Sequence, residues 1–302
     1  MPMADHALRT QRLNPPNKSL PYLLTFPAFI ALIGILYPFI LGVYYTFTNY
    51  TLTDPGNIQF VGLANYLDIF RSIDFWKAFG LTFVFAASVV IIELVLGLGV
   101  ALLLKDTFPG VRILQSFLII PMMIPPIVSA LMWKVILLPT DQGVLNRILD
   151  LVGIEPIAWL GDSATALVSM ILIDVWIYSP FAILIFLAGL QSLPKEPYEA
   201  ARVDGASGWF MFRKLTLPLL LPCIVLVTLF RLIDSLKVFD IIYATTKGGP
   251  AGATMTLHIQ SYFEAIRWFR MGRGMVYLFV LWLLCFTFSK ALSRLWTKAL
   301  MR

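Results

Sequence analysis

Charge is what this sequence has least of. Only 13% of its 302 residues are Asp, Glu, Lys or Arg, against about a quarter in a soluble domain. That deficit excludes an ordinary water-soluble fold, and no polar stretch is long enough to form a separate soluble domain. Cysteine is almost missing. Cys223 and Cys285 both lie inside apolar runs, form no CxxC and no disulfide framework, and read as small hydrophobes. The two histidines, His6 and His258, stand too far apart in sequence to suggest a metal-ligand cluster. There is no GxxxxGK[ST] phosphate loop, no HExxH and no nucleophile constellation, which argues against nucleotide binding of that kind and against membrane-enzyme chemistry. No internal repeat is visible either. Transporters driven by an ion gradient usually carry one, so that class is disfavoured.

What the sequence has in abundance is apolar length. Hydrophobic residues make up 59% of the chain, and the mean hydropathy is +0.83. Runs at about Tyr22–Phe47, Ala78–Leu104, Ile113–Leu138, Thr165–Leu190, Leu215–Leu236 and Met275–Leu295 are each long enough to cross about 30 Å of hydrocarbon. Helices satisfy their own backbone in lipid, so the expected fold class is all-α and integral to the membrane, with six transmembrane helices. The first run is longer than a signal-peptide core and no clean cleavage site follows it, so it reads as a retained span behind a basic tail at 1–21. Pro121, Pro125 and Pro126 predict a kink in the third span.

The net charge of +6 is spread between the apolar runs, without the dense basic face that nucleic acid requires. Six spans put both termini on one side, and the positive-inside rule selects the cytoplasm. Arg9, Arg12 and Lys18 in the tail, Lys105 and Arg112, the group Lys195, Arg202, Arg213 and Lys214, and Lys290, Arg294, Lys298 and Arg302 at the end then fall inside. The loop from Pro139 to Ala164 falls outside and is acidic, with Asp141, Asp150, Glu155 and Asp162 against Arg147. Lys134, near a span end, is expected to snorkel. The stretch from Ser235 to Gly274 is long and partly apolar, and Lys247-Gly248-Gly249-Pro250 signals a turn. It reads either as a broken, re-entrant element buried in protein or as an amphipathic helix lying on the membrane surface.

Between the fourth and fifth spans, at about 191–218, the chain reads Leu193-Pro194-Lys195-Glu196-Pro197-Tyr198-Glu199-Ala200-Ala201-Arg202-Val203-Asp204-Gly205-Ala206 and continues to Leu217-Pro218. Ser192 is a candidate N-cap, Pro194 and Pro197 suit a first helical turn, and Gly205 suits a left-handed helix end. A second helix is expected to start at Ser207 and lead into the fifth span. Two alanines beside an acid make a slim helix face with one charge, which can seat in a groove on another protein. Trp209, Phe210 and Phe212 add contact area or an interfacial anchor.

Glu199-Ala200-Ala201 followed after three residues by Gly205, with Leu217-Pro218 beyond, resembles the coupling motif of bacterial ABC importer permeases. Phe60-Val61-Gly62-Leu63 with Asn65-Tyr66, Trp176 with Pro180-Phe181, and Gly248-Gly249-Pro250 are similar to the maltose-type sugar permeases and follow in the same order. The resemblance implies a multi-pass subunit of the bacterial inner membrane, with ABC importer permease architecture and a cytoplasmic coupling helix that docks on an ATPase. It also implies a dimer of ATP-binding subunits that carry the ATP and Mg, a second homologous permease, an extracytoplasmic solute-binding protein, and a sugar or oligosaccharide as cargo. This chain would then be a pore-forming subunit without cofactor or ATPase site of its own. Glu199, Ala200, Ala201, Asp204 and Gly205 match the coupling motif. Without the other marks, Gly205 would only end a helix and Glu199 would be a solvated charge.

Ionisable residues inside spans are candidates for function. Asp174 and Arg231 lie at about the same depth, roughly 24 Å from the inner ends of their spans. Asp234 shares a helix face with Arg231, and Ser235, Tyr178 and Phe181 are neighbours. Carboxylates, a guanidinium and aromatic rings suit sugar hydroxyls and ring faces, and the resemblance places substrate contacts in these same two spans. The competing reading is a structural Arg–Asp pair that never touches cargo. Glu93 reads as structural, facing the partner permease. An anionic cargo, such as a sugar phosphate of the glycerol phosphate kind, is the alternative within transport.

Overall fold

The computed structural model describes residues 20–106, 108–139 and 142–300. The basic tail lies outside these residues but for its last two, as do Asp141 and Arg302. The described residues form helices and connecting loops, with a single isolated bridge between Thr48 and Phe60.

Four helices are long and apolar enough to span a membrane: α1 (Leu20–Thr46), α3 (Ile73–Leu104), α7 (Ser163–Gln191) and α14 (Met271–Leu300). Two further spans are broken, and together with the four they account for the six apolar runs. The third run is α4 (Val111–Met123) plus α5 (Pro126–Ile136), followed by the short α6 (Val144–Asp150); α4 and α5 are set at 97° to each other. This exceeds the kink expected from the sequence, and the cause is local. A residue before proline is pushed out of the helical region, and here two prolines follow one another. Ile124 sits at φ −85°, ψ 130° and Pro125 at φ −53°, ψ 136°, so the helix stops and restarts with Pro126 in its first turn, where a missing N–H costs nothing. The fifth run bends by 61° at Leu220. There α9 (Gly208–Met211), a π turn at Phe212–Thr216 and α10 (Leu217–Leu219) lead into α11 (Leu221–Leu236). Pro218 and Pro222 each remove one helical donor around the bend.

α1 is exposed on every side from Thr25 to Ile40, as befits a helix whose apolar residues show no preferred face. Its last turn is clamped by the segment that follows. Val61 N donates to Phe47 O, buried Asn65 donates through Nδ2 to Thr46 O and Thr48 O at 2.9 and 2.8 Å, and Tyr66 Oη donates to Thr46 Oγ1 at 2.8 Å. Gly62 takes φ +59° at the turn into α2 (Ala64–Arg71). The Phe-Val-Gly-Leu-x-Asn-Tyr stretch is therefore a C-terminal cap for the first span. Asn65→Ala is expected to cost about 1–3 kcal/mol, because it strands two buried carbonyls; a lowered thermal midpoint in detergent checks this.

The interior is built on α3, α7, α11 and α14. Small residues let the backbones approach: a Cβ on Gly97 would stand 2.7 Å from Ala182 Cβ, and one on Gly189 2.7 Å from Cys223 Sγ. The Ser235–Gly274 stretch folds into the protein rather than onto its surface. It contains α12 (Asp240–Thr245), α13 (Leu257–Tyr262) and a π turn at Phe263–Arg267. Ile241, Ile242, Leu257 and Ile259 are buried against Phe85, Met170, Ile173 and Ala78 among others. Buried Glu264 holds Arg273 at 3.3 Å, and Arg273 reaches Asp68 on α2 at 3.4 Å.

Candidate functional site

Two places bring the candidate residues together, at opposite ends of the bundle. At the end nearer the 191–218 segment, α8 (Glu196–Val203) is a separate short helix with no buried residue. It starts later than expected. Ser192 caps the end of α7, donating to Gly189 O at 2.8 Å, and Pro194 stands ahead of the helix. Its end fits the expectation. Gly205 sits at φ +75°, its N–H donates to Arg202 O, and Ala206 N–H donates to Ala201 O, the paired pattern of a glycine-terminated helix. Ser207 caps α9 by accepting from Phe210 N. Glu199, Ala200, Asp204 and Gly205 are exposed and Ala201 is half-buried. Val203 is 88% exposed and Trp209 70%. Tyr198 Oη lies 3.0 Å from Thr216 Oγ1, so α8 is tied to the start of the fifth run by a side-chain hydrogen bond as well as by the chain.

In the other half of the bundle is a cavity of about 380 Å³ lined by Pro126, Asp174, Tyr178, Arg231, Asp234, Lys237, Val238, Phe239, Asp240, Ile241 and His258. Asp174 of α7 and Arg231 of α11 meet as their matching depths required: Arg231 Nη2 donates to Asp174 Oδ1 at 2.5 Å. A second carboxylate joins them. Arg231 Nε donates to Glu93 Oε2 of α3 at 2.6 Å, and Glu93 is wholly buried. Glu93 therefore does not face outward toward another subunit, as the sequence reading had it. The Tyr178 ring covers the guanidinium at 4.1 Å, a cation–π contact strengthened by desolvation.

The other candidates separate. Asp234 is 55% exposed and pairs with Lys237 at 3.4 Å; a pair this open adds little stability and stays available to a ligand. Ser235, one residue on, turns inward. It is buried, and its hydroxyl donates to Leu232 O. Phe181 lies two turns from Asp174, below the Arg231–Tyr178 floor, and packs edge-on against Phe230 with ring centres 6.0 Å apart. Neither Ser235 nor Phe181 lines the cavity.

Sequence reasoning missed the opposite wall. Phe239 stacks on Tyr243 at 5.1 Å and meets His258 at 5.0 Å, while Tyr243 and Tyr262 hydroxyls lie 3.0 Å apart. His258 Nδ1 donates to Lys237 O at 2.8 Å, which leaves Nε2 as an acceptor. Burial pushes the His258 pKa below its usual value, so the ring is neutral near pH 7. The available signal was the run Lys237-Val238-Phe239-Asp240 at the exit of the fifth span, but its fold back over the cavity depends on tertiary packing. Among the described residues, no His, Cys, Asp and Glu group is placed to hold a metal.

Residues 93–295 match the family described as the binding-protein-dependent transport system inner membrane component. The probable ABC transporter permease protein y4oQ of Sinorhizobium fredii is 41% identical, over 82% of this chain and 81% of its own length. The trehalose/maltose transport system permease protein MalF of Thermococcus litoralis is 37% identical, over 84% of this chain and 85% of its own. In three dimensions the chain is similar to a chain from the crystal structure of a bacterial ABC transporter involved in the import of the acidic polysaccharide alginate. The TM-score is 0.80 at 20% identity, over 92% of this chain and 95% of that one, a likeness of fold. With a family match over two thirds of its length and relatives of this identity over more than four fifths of it, this chain belongs to the inner-membrane permeases of binding-protein-dependent ABC transport systems.

Proposed function

We propose that this chain forms half of the path by which an ATP-driven importer carries a sugar or oligosaccharide across the bacterial inner membrane. The observation that carries this reading is the cavity. It combines an aromatic wall, a neutral imidazole and exposed carboxylates on one side with a fixed guanidinium on the other, the mixture that binds hydroxyls by charge-assisted hydrogen bonds and ring faces by stacking. The trehalose/maltose relative points to the same cargo class. A second, homologous permease supplies the facing half, an extracytoplasmic binding protein delivers the cargo, and a dimer of ATP-binding subunits seats α8 through Glu199, Ala200, Ala201, Asp204 and Gly205. ATP and Mg belong to those subunits, and this chain hydrolyses nothing. In this reading both termini are cytoplasmic, on the same side as α8, which the bias of basic residues toward those segments of the sequence supports.

A cargo of anionic sugar is the second reading, raised by the alginate transporter that shares the fold. The cavity counts against it: Asp174, Asp234 and Asp240 outnumber Arg231 and Lys237 along its lining. The test is uptake of labelled sugars into membrane vesicles holding the complete importer. Neutral disaccharides are expected to compete with the label and sugar phosphates or uronates are not; the reverse pattern would establish the anionic reading. Phe239→Ala is expected to lower uptake about tenfold through loss of a stacking face, roughly 1.4 kcal/mol, with the amount of chain in the membrane unchanged. Unaltered uptake in Phe239→Ala and in Asp234→Asn together would remove the cavity from the path.

A further inference from the structure

The buried side of the cavity floor is a three-helix charge cluster with an unusual division of labour. Arg231, Asp174 and Tyr178 line the cavity; Glu93 does not, yet it holds the guanidinium by its Nε edge. Arg231 and Asp174 are each 2% exposed and Glu93 is fully buried. The three groups come from α11, α7 and α3, and Glu93 can reach because α3 and α7 nearly touch one turn away, at Gly97 and Ala182. One arginine faces two carboxylates, and Glu93 Oε1 has no hydrogen-bond partner among the described residues. A second buried carboxylate is costly where one pair would already join two helices, and packing alone gives no reason for it. Its geometric effect is clear. Nη2 is held by Asp174 and the face by Tyr178, and Glu93 on Nε fixes the remaining rotation of the guanidinium plane.

The geometry points to Glu93 as a positioning residue for translocation. From outside the cavity it sets the orientation of Arg231, and through Arg231 the placement of Asp174 and Tyr178, and it fastens α3 to α7 and α11 so that the floor moves as one body. This rests on the reading of the cavity as the cargo path.

The test is Glu93→Gln, which keeps shape and removes the charge, in the complete importer. The probes are labelled maltose and trehalose, with uptake expressed per folded chain, and amide hydrogen exchange across residues 227–236, which needs no cargo. Uptake per folded chain is expected to fall at least tenfold, and exchange in that segment to rise at least tenfold. A packing role alone lowers uptake only in proportion to folded chain. Wild-type uptake per folded chain, or unchanged exchange, overturns the proposal. Should Glu93→Gln fail to fold, Glu93→Asp keeps the charge but withdraws it by one methylene; the same loss is expected, and wild-type uptake in that variant overturns it. If Phe239→Ala and Asp234→Asn are impaired while Glu93→Gln is normal, this inference alone fails. If the rim variants are normal, the cavity reading fails with it.

Discussion

Replacing Arg231 with alanine is expected to remove the permease from the membrane, not to leave an assembled but inactive subunit. The guanidinium is the only partner of Asp174 Oδ1 and Glu93 Oε2 among the described residues. Without it two carboxylates stay buried with no counter-charge, and breaking a buried ion pair from one side costs about 3–5 kcal/mol. Against a total stability of about 5–15 kcal/mol, that loss is enough for clearance by quality control. Immunoblots of membranes should show the variant strongly depleted. Arg231→Lys, which keeps the charge but lacks the planar fork, should be intermediate. Removing the carboxylates along with the arginine (Glu93→Gln, Asp174→Asn, Arg231→Met) should restore the amount of protein. Wild-type levels of Arg231→Ala would mean that water reaches the cluster.

Glu199→Arg is expected to have the opposite character, with full expression and no transport. α8 has no buried residue, Glu199 makes no ion pair among the described residues, and Gly205 still ends the helix. Reversing a charge in the first turn of an exposed helix costs only about 0.3–1 kcal/mol through the helix dipole. Loss of a docked charge at an interface is larger, roughly 2–5 kcal/mol, which corresponds to at least about a 30-fold weaker hold on the ATPase. Co-purification from mild detergent measures this directly: the second permease should be recovered with the variant and the ATPase should not. Retention of the ATPase at wild-type yield would show that α8 is not the docking element.

The sequence made some of this legible and left the rest to packing. Span positions could be read because hydrocarbon imposes a length, and the shared depth of Asp174 and Arg231 could be read because helical rise is constant. The left-handed end of α8 at Gly205 was legible because only glycine occupies that conformation at little cost. The start of α8 was not, because Ser192 can cap either neighbour and only the length of α7 decides. Glu93 was misread because its distance from Arg231 in sequence gives no hint that α3 and α7 come within contact at Gly97. Phe239, Asp240 and His258 were missed because α12 and α13 are only six residues each, too short to define a face in sequence, and their placement over the cavity is set by what they lie against. Ser235 and Phe181 lie close along their helices to Asp234 and Tyr178, which line the cavity, but rotation about the helix for Ser235 and depth for Phe181 keep them out of it.

The break between α4 and α5 has a consequence for hydration. In an unbroken helix the carbonyl of Met122 would accept from residue 126, which here is a proline without a donor. Facing lipid, an unmet carbonyl is costly. Pro126 stands at the edge of the polar cavity, so the second arm of the broken span begins beside polar groups and not in hydrocarbon. A span interrupted at such a place can turn without opening main chain to lipid, which a helix bordering a polar cavity inside a membrane has to do.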